Sequence, residues 1–236
     1  MGAHRKIICA LDTGNLDEAI LAVKRLSPYV GGFKIGHALT LPNGLDVVDR
    51  LREAGANRIF LDLKFHDIPN SVALAVREAG KRGVWMVTIH ASGGQAMMVA
   101  AAEEASMFDE DVRPQLLAVS VLTSLDGDVL SKELGIQRTV SDQMVSLSKL
   151  AVSCGIDGVV CSAEEVKALR SEVGHAVIVT PGIRRDDQSV HDHARTGTAT
   201  QALSDGADYL VIGRGLMSAE DPVATLAAYG LMSTSA

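Results

Sequence analysis

The chain has 236 residues, of which 47% are apolar, 22% charged and 3% aromatic, with a formal net charge of -7. That length suits one large domain or two small ones and is ordinary for an α/β barrel. The acidic balance argues against general affinity for nucleic acid or anionic membranes, and the scarcity of aromatic rings argues against a base-stacking platform.

An anionic ligand would therefore need a local positive site. Cys9, Cys154 and Cys161 form an odd set without ligand-like spacing; Cys9 and Cys161 fall in predicted strands and read as small buried hydrophobes. No basic-then-apolar leader opens the sequence, and no apolar run approaches the ~18 residues of a spanning helix. The expectation is a cytoplasmic protein with no membrane partner.

In chain order, Lys6–Asp12 reads as a short buried strand ending on a charge, followed by a helical pattern through Leu16, Ile20, Val23 and Leu26 with Asn15 as cap. Gly31–Gly36 is a second strand, and Leu45–Ala54 a helix punctuated by Gly55. The run from Arg58 through Asp62 and Lys64 is the third strand, with Asp67 in the turn beyond it and Asn70–Lys81 as its helix. Trp85–His90, Gln115–Thr123, Gly158–Cys161, Ala176–Thr180 and Tyr209–Gly213 continue the strands. Between them come helices at Gln95–Met107, Asp142–Ser153 and Ala163–Glu172, a short piece at Val129–Leu134, and a last helix at Pro222–Ala228.

Near-continuous apolar strands alternating with helices indicate a parallel sheet buried on both faces. Eight units in this length favour a closed (β/α)8 TIM barrel spanning 1–236 as a single domain over a doubly wound sheet. In such barrels the active site lies at the carboxyl ends of the strands, where this chain puts Asp12, Lys34, Asp62, Lys64, His90 and Arg214.

Alternation along a strand places Asp62 and Lys64 on one side, with Asp67 in the turn beyond. Such a cluster is costly unless its charges pair with each other or with a ligand. Asp12 and Lys34 end neighbouring strands beside it, giving an alternating acid–base array suited to ligand hydroxyls and to proton transfer. Thr180-Pro181-Gly182-Ile183-Arg184 and Ile212-Gly213-Arg214-Gly215 follow strands seven and eight. Loops there form the usual phosphate site of these barrels: glycine admits the anion to the backbone, and arginine offers a fork of donors. His37, His66 and His90 have no metal-ligand spacing and read as structural or loop residues.

Asp62-Leu63-Lys64-Phe65-His66-Asp67-Ile68-Pro69-Asn70 resembles the signature of the orotidine 5'-phosphate decarboxylase family. Ala10-Leu11-Asp12, Phe33-Lys34-Ile35-Gly36, Val121-Leu122-Thr123-Ser124 and the two phosphate-grip loops stand around it in the family's order, over essentially the whole chain. The resemblance implies decarboxylation of orotidine 5'-monophosphate to uridine 5'-monophosphate and CO₂, the final step of de novo UMP biosynthesis, without metal or organic cofactor. It implies that Lys64 protonates C6 of the pyrimidine, that Asp62 lies beside the substrate carboxylate, and that Lys34 holds the charge array and the ribose. Asp12 would bind ribose hydroxyls, Thr123 the pyrimidine edge, and Pro181 would belong to the covering loop. Arg184, Gly213 and Arg214 would bind the 5'-phosphate. Asp67 and Ile68 would cross a homodimer interface into the partner's site. Ser71 joins the substrate contacts, and it and Phe65 stand where the family commonly has Thr and Leu.

One departure concerns the phosphate loop. The family's glutamine that bridges base and phosphate falls on His193 when positions are counted without gaps from Gly206; Asp186-Asp187-Gln188 fits with a shortened loop. A ring N–H at His193 can replace an amide donor.

The reaction itself is demanding, because loss of CO₂ leaves a vinyl carbanion with no adjacent carbonyl. Acids at Asp62 and Asp67 should keep Lys64 protonated. One charge pair at ~4 Å and an effective dielectric of ~20 is worth ~4 kcal/mol, or about a thousandfold in rate, so a preorganised array and phosphate binding must supply the rest. A Mg²⁺-dependent decarboxylase or aldolase acting on a phosphorylated sugar acid is the nearest rival, with Asp62 and Asp67 facing the metal. A non-catalytic nucleotide-binding barrel is a further alternative.

Overall fold

A computed structural model of the chain describes residues 3–184 and 197–231. Eight parallel strands close into a barrel: β1 (Ile7–Ala10), β2 (Gly32–Ile35), β3 (Ile59–Phe65), β4 (Met86–His90), β5 (Gln115–Val119), β6 (Gly158–Val160), β7 (Val177–Thr180) and, after two short strands, β10 (Tyr209–Ile212). The neighbours run in chain order around the circle, and β1 pairs with β10 to complete it. Closure leaves the barrel sheet itself without an edge strand.

Alternation along these strands divides the core in two. Ile8, Ala10, Phe60, Met86, Leu117, Val179 and Val211 point inward and fill the barrel, capped by the edge-to-face pair Trp85 and Tyr209. Ile7, Cys9, Ile59, Leu61, Val87, Leu116, Ala118 and Ile178 point outward to the helices. Both faces are thus apolar, which is why the strands read as continuous hydrophobic runs. Cys9, Cys154 and Cys161 are buried and form no disulfide; burial pushes the Cys9 thiol up to about 12, with Asp12 contributing in the same direction.

The principal helices match the sequence periodicity to within a few residues: α1 (Leu16–Leu26), α3 (Val47–Glu53), α4 (Pro69–Lys81), α5 (Gly94–Ala105), α6 (Val140–Ser153), α7 (Val166–Val173) and α10 (Pro222–Ala228). Asn15 caps α1 by accepting from the backbone N–H groups of Asp17 and Glu18. Three short helices have no counterpart in the periodicity: α2 (His37–Asn43), α8 (Ala199–Ser204) and α9 (Arg214–Met217). The two-residue strands β8 (Ile183–Arg184) and β9 (Gly197–Thr198), which pair with each other, were also unanticipated. The fifth strand stops at Val119, where its pairing with Val160 ends, so Ser120–Thr123 form a turn instead of the strand's continuation. No helix among the described residues is long and apolar enough to cross a membrane.

Candidate active site

The interior rows of β1, β2 and β3 are apolar below and charged above. Ala10 is in register with Lys34, and Lys34 with Phe60. Asp12 lies two residues beyond Ala10, and Asp62 two beyond Phe60, so alternation turns both toward the barrel mouth. The Lys34 ammonium lies 3.1 Å from Asp12 Oδ1 and 3.4 Å from Asp62 Oδ2, and the Lys64 ammonium lies 2.8 Å from Asp62 Oδ1. The result is a continuous series, Asp12–Lys34–Asp62–Lys64, with no net charge.

Burial and charge oppose each other here. For Lys34 the largest single influence is burial, which disfavours the ammonium; Asp62 and Asp12 together outweigh it and raise the pKa. For Asp62 burial again acts most strongly, disfavouring the carboxylate, but Lys34, Lys64 and Thr88 overcome it and lower the pKa. Each buried charge is tolerated because its neighbour is fixed beside it.

Lys64 does not reach this position by simple strand alternation. Leu61 pairs with Val87, but the next pair is Phe65 with Ile89, so β3 spends four residues where β4 spends two. The excess forms a bulge in which Lys64 adopts φ 52°, the one non-glycine residue with positive φ among the described residues. A left-handed conformation at a long side chain costs about 1–3 kcal/mol and persists only where the surroundings impose it. The expectation that Asp62 and Lys64 share a side through regular pleating is therefore corrected. They meet because the backbone kinks and the lysine folds back.

Thr88, on β4, is a participant that the sequence reading missed. It is 1% exposed, its hydroxyl accepts from the Lys64 backbone N–H at 2.9 Å, and it donates to Asp62 Oδ1 at 3.0 Å. The available signal was its parity with Met86 and His90, which places a hydroxyl on the inward face of an apolar strand. His90 stands two residues further along, its ring 5.1 Å from that of His66. Burial, then His66 and Lys64, hold the His90 pKa below the ordinary histidine range.

The remaining expected residues occupy the surrounding rim. Asp67 and Ile68 are exposed at the start of α4, where Asp67 Oδ1 accepts from the Ile68 backbone N–H at 2.6 Å. Of the two acids expected to flank Lys64, Asp62 pairs with its ammonium, while Asp67 accepts from the neighbouring Ile68 backbone. Ser71 lies half-buried in the first turn of α4, Thr123 in the turn after β5, and Pro181 just after β7. Gly213 precedes α9 so close to Asp12 that an added Cβ would lie 3.2 Å from Asp12 Oδ2. Arg214 opens α9 on the exposed side, and the Arg184 backbone pairs with Thr198. His193 and Gln188 lie outside the described residues. Among the described residues no group of three or more His, Cys, Asp or Glu side chains is placed to hold a metal ion.

Residues 5–229 match the model of the family described as orotidine 5'-phosphate decarboxylase / HUMPS. The orotidine 5'-phosphate decarboxylase of Pseudoalteromonas translucida is 47% identical over 224 residues, covering 94% of each chain. That of Moorella thermoacetica is 46% identical, over 95% of this chain and 90% of its own. Among solved structures, the orotidine 5'-phosphate decarboxylase of Lactobacillus acidophilus superposes with a TM-score of 0.81 at 35% identity, covering 95% of this chain and 96% of that one. An uncharacterized conserved protein from Geobacillus kaustophilus has the same TM-score at 34% identity, over 95% and 98% of the two chains.

Proposed function

Because the chain belongs to the orotidine 5'-phosphate decarboxylase / HUMPS family, we infer that it converts orotidine 5'-monophosphate to uridine 5'-monophosphate and CO₂ in pyrimidine biosynthesis. The observation that carries this reading is the linked series Asp12–Lys34–Asp62–Lys64 at the barrel mouth, with Lys34 and Asp62 largely buried at its centre. It puts an ammonium at the end of a fixed charge array, as protonation of a carbanion requires.

In the proposed reaction the bond from C6 to the carboxylate breaks, CO₂ departs, and the electron pair remains on C6. Lys64 Nζ gives C6 its proton, and solvent returns one to the amine. Asp62 stands beside the substrate carboxylate, and Lys34 keeps Asp62 ionised while reaching toward the ribose with Asp12. Arg184, Gly213 and Arg214 take the 5'-phosphate, with Thr123, Pro181 and Ser71 around the base and His193 or Gln188 bridging base and phosphate. A single ion pair supplies only ~4 kcal/mol, so the array must act together with phosphate binding, preorganised before the charge develops.

Asp67 and Ile68 serve the site of a second copy in a homodimer. Ile68, with 67% of its surface exposed beside an exposed acid, is accessible to a second copy and would gain from burial there.

The rival metal-dependent reading needs Asp62 free to face a cation. Both of its oxygens already lie within 3.4 Å of an ammonium, which favours the pyrimidine reaction. An ultraviolet assay following loss of orotidine 5'-monophosphate, with and without EDTA, tests both. We expect turnover unaffected by the chelator and reduced at least ~10³-fold in Lys64→Ala. Inactivation by EDTA, or an active Lys64→Ala enzyme, refutes the corresponding assignment.

A further inference from the structure

One buried hydroxyl holds the Lys64 backbone directly and its ammonium through Asp62. Its backbone N–H donates to Thr88 Oγ1 at 2.9 Å, Thr88 Oγ1 donates to Asp62 Oδ1 at 3.0 Å, and the same Asp62 oxygen receives the Lys64 ammonium at 2.8 Å. The path closes into a ring: amide, hydroxyl, carboxylate, ammonium, and back through the lysine's own side chain. A threonine hydroxyl can accept and donate at once, and here it does both with 1% exposure. The neighbouring backbone is the left-handed bulge at Lys64, where β3 departs from its register with β4.

We propose that Thr88 is a positioning residue for the decarboxylation, holding the Lys64 bulge and the Asp62 carboxylate in the one arrangement that aims the ammonium at the reacting carbon. This rests on the assignment of Lys64 as proton donor. Two features make the role specific to Thr88. An apolar residue of the same shape fills the strand equally well but leaves the left-handed amide and one face of Asp62 without their partner. Asp62 Oδ1 would then keep only Lys64 as a hydrogen-bond donor, and the carboxylate could rotate with it. Because the hydroxyl's hydrogen bonds to Lys64 and Asp62 both run to β3, its loss should leave the phosphate-binding end undisturbed.

The test compares wild type, Thr88→Val, Thr88→Ser and Lys64→Ala. In Thr88→Val we expect kcat to fall ~10–100-fold, the effect of misplacing a reacting group by about an ångström, while KM and affinity for the product UMP stay within about threefold. Exchange of the Lys64 backbone amide, followed by NMR, should accelerate in Thr88→Val. Thr88→Ser keeps the hydroxyl and should restore both kcat, to within about fivefold, and amide protection. A purely structural role would not divide kcat from product affinity in this way. If Thr88→Val does not fold, Thr88→Ala takes its place as the variant without a hydroxyl. A kcat within about threefold of wild type in that variant, or a Ser variant as impaired as the Val variant, overturns the proposal. An active Lys64→Ala enzyme instead overturns the donor assignment, whereas an inactive one beside a fully active Thr88→Val enzyme removes only the role given to Thr88.

Discussion

Asp62 lies between two ammonium groups, and its acid–base behaviour follows from that placement. Its lowered pKa means that the stability it contributes is present above the ordinary carboxylate range, near ~3.9, and is lost as pH falls through the still lower folded value. Lys34 has the opposite sign. Its raised pKa contributes stability that is complete below ~10.4 and is lost only as pH rises through the higher folded value. Between roughly pH 5 and 9 neither group changes charge. Thermal unfolding of wild type and Asp62→Asn should therefore show a gap in Tm that is constant across that range and narrows below about pH 4. A gap that varies through neutrality would contradict the assigned shifts. Residue types and order alone indicated which side chains form this array; Thr88 did not stand out, because one hydroxyl in an apolar strand carries no motif.

At the level of elements, the barrel's two ends have different tasks. Arg170, on α7, lies at the amino end of the strands and gathers the segments that enter β7 and β10. Its guanidinium donates to the carbonyls of Gly174 and Ala176 at 2.7 Å each, to Gly206 O at 2.7 Å and 3.2 Å, and to Asp208 Oδ2 at 2.6 Å. Asp208 in turn accepts from the Ile178 backbone N–H at 2.8 Å. The amino-terminal face of such barrels serves stability, away from the chemistry. Arg170→Ala should cost about 2–3 kcal/mol, lowering Tm by roughly 4–12 °C, while KM for orotidine 5'-monophosphate is unchanged. Calorimetry beside steady-state kinetics checks both, and a raised KM with an unaltered Tm would reverse the division. The long helices and the apolar strands were legible because their periods differ clearly. The short α2, α8 and α9 were not: α2 carries Pro42 within its seven residues, and α8 and α9, at six and four residues, hold little more than one turn of a 3.6-residue repeat. The pairing of β8 with β9 joins residues far apart in sequence and has no local signal.

At the scale of the whole molecule, Asp67 and Ile68 are exposed immediately before α4. If a second copy uses them, a dimer of one Lys64→Ala and one Asp67→Ala subunit contains one site with both groups intact. Verified mixed dimers should then recover roughly half the wild-type activity, although each parent is inactive. No recovery would show that Asp67 acts within its own subunit or not at all.

The linear chain determined the alternation of strands and helices, and with it a closed barrel whose charged residues gather at one end. This followed because burial on both faces demands continuous apolar strands, while parallel connections demand helices between them. It also determined the family, since Asp62–Asn70 and the two glycine–arginine loops retain their types and order. How Lys64 reaches Asp62 is visible only in the folded chain. Regular pleating would have sufficed on paper, but the strand bulges, the lysine adopts a left-handed backbone, and Thr88 of the neighbouring strand holds the bend. A register shift depends on which strand lies alongside and on what that strand offers as a hydrogen-bond partner, and neither is written in the residues that bend.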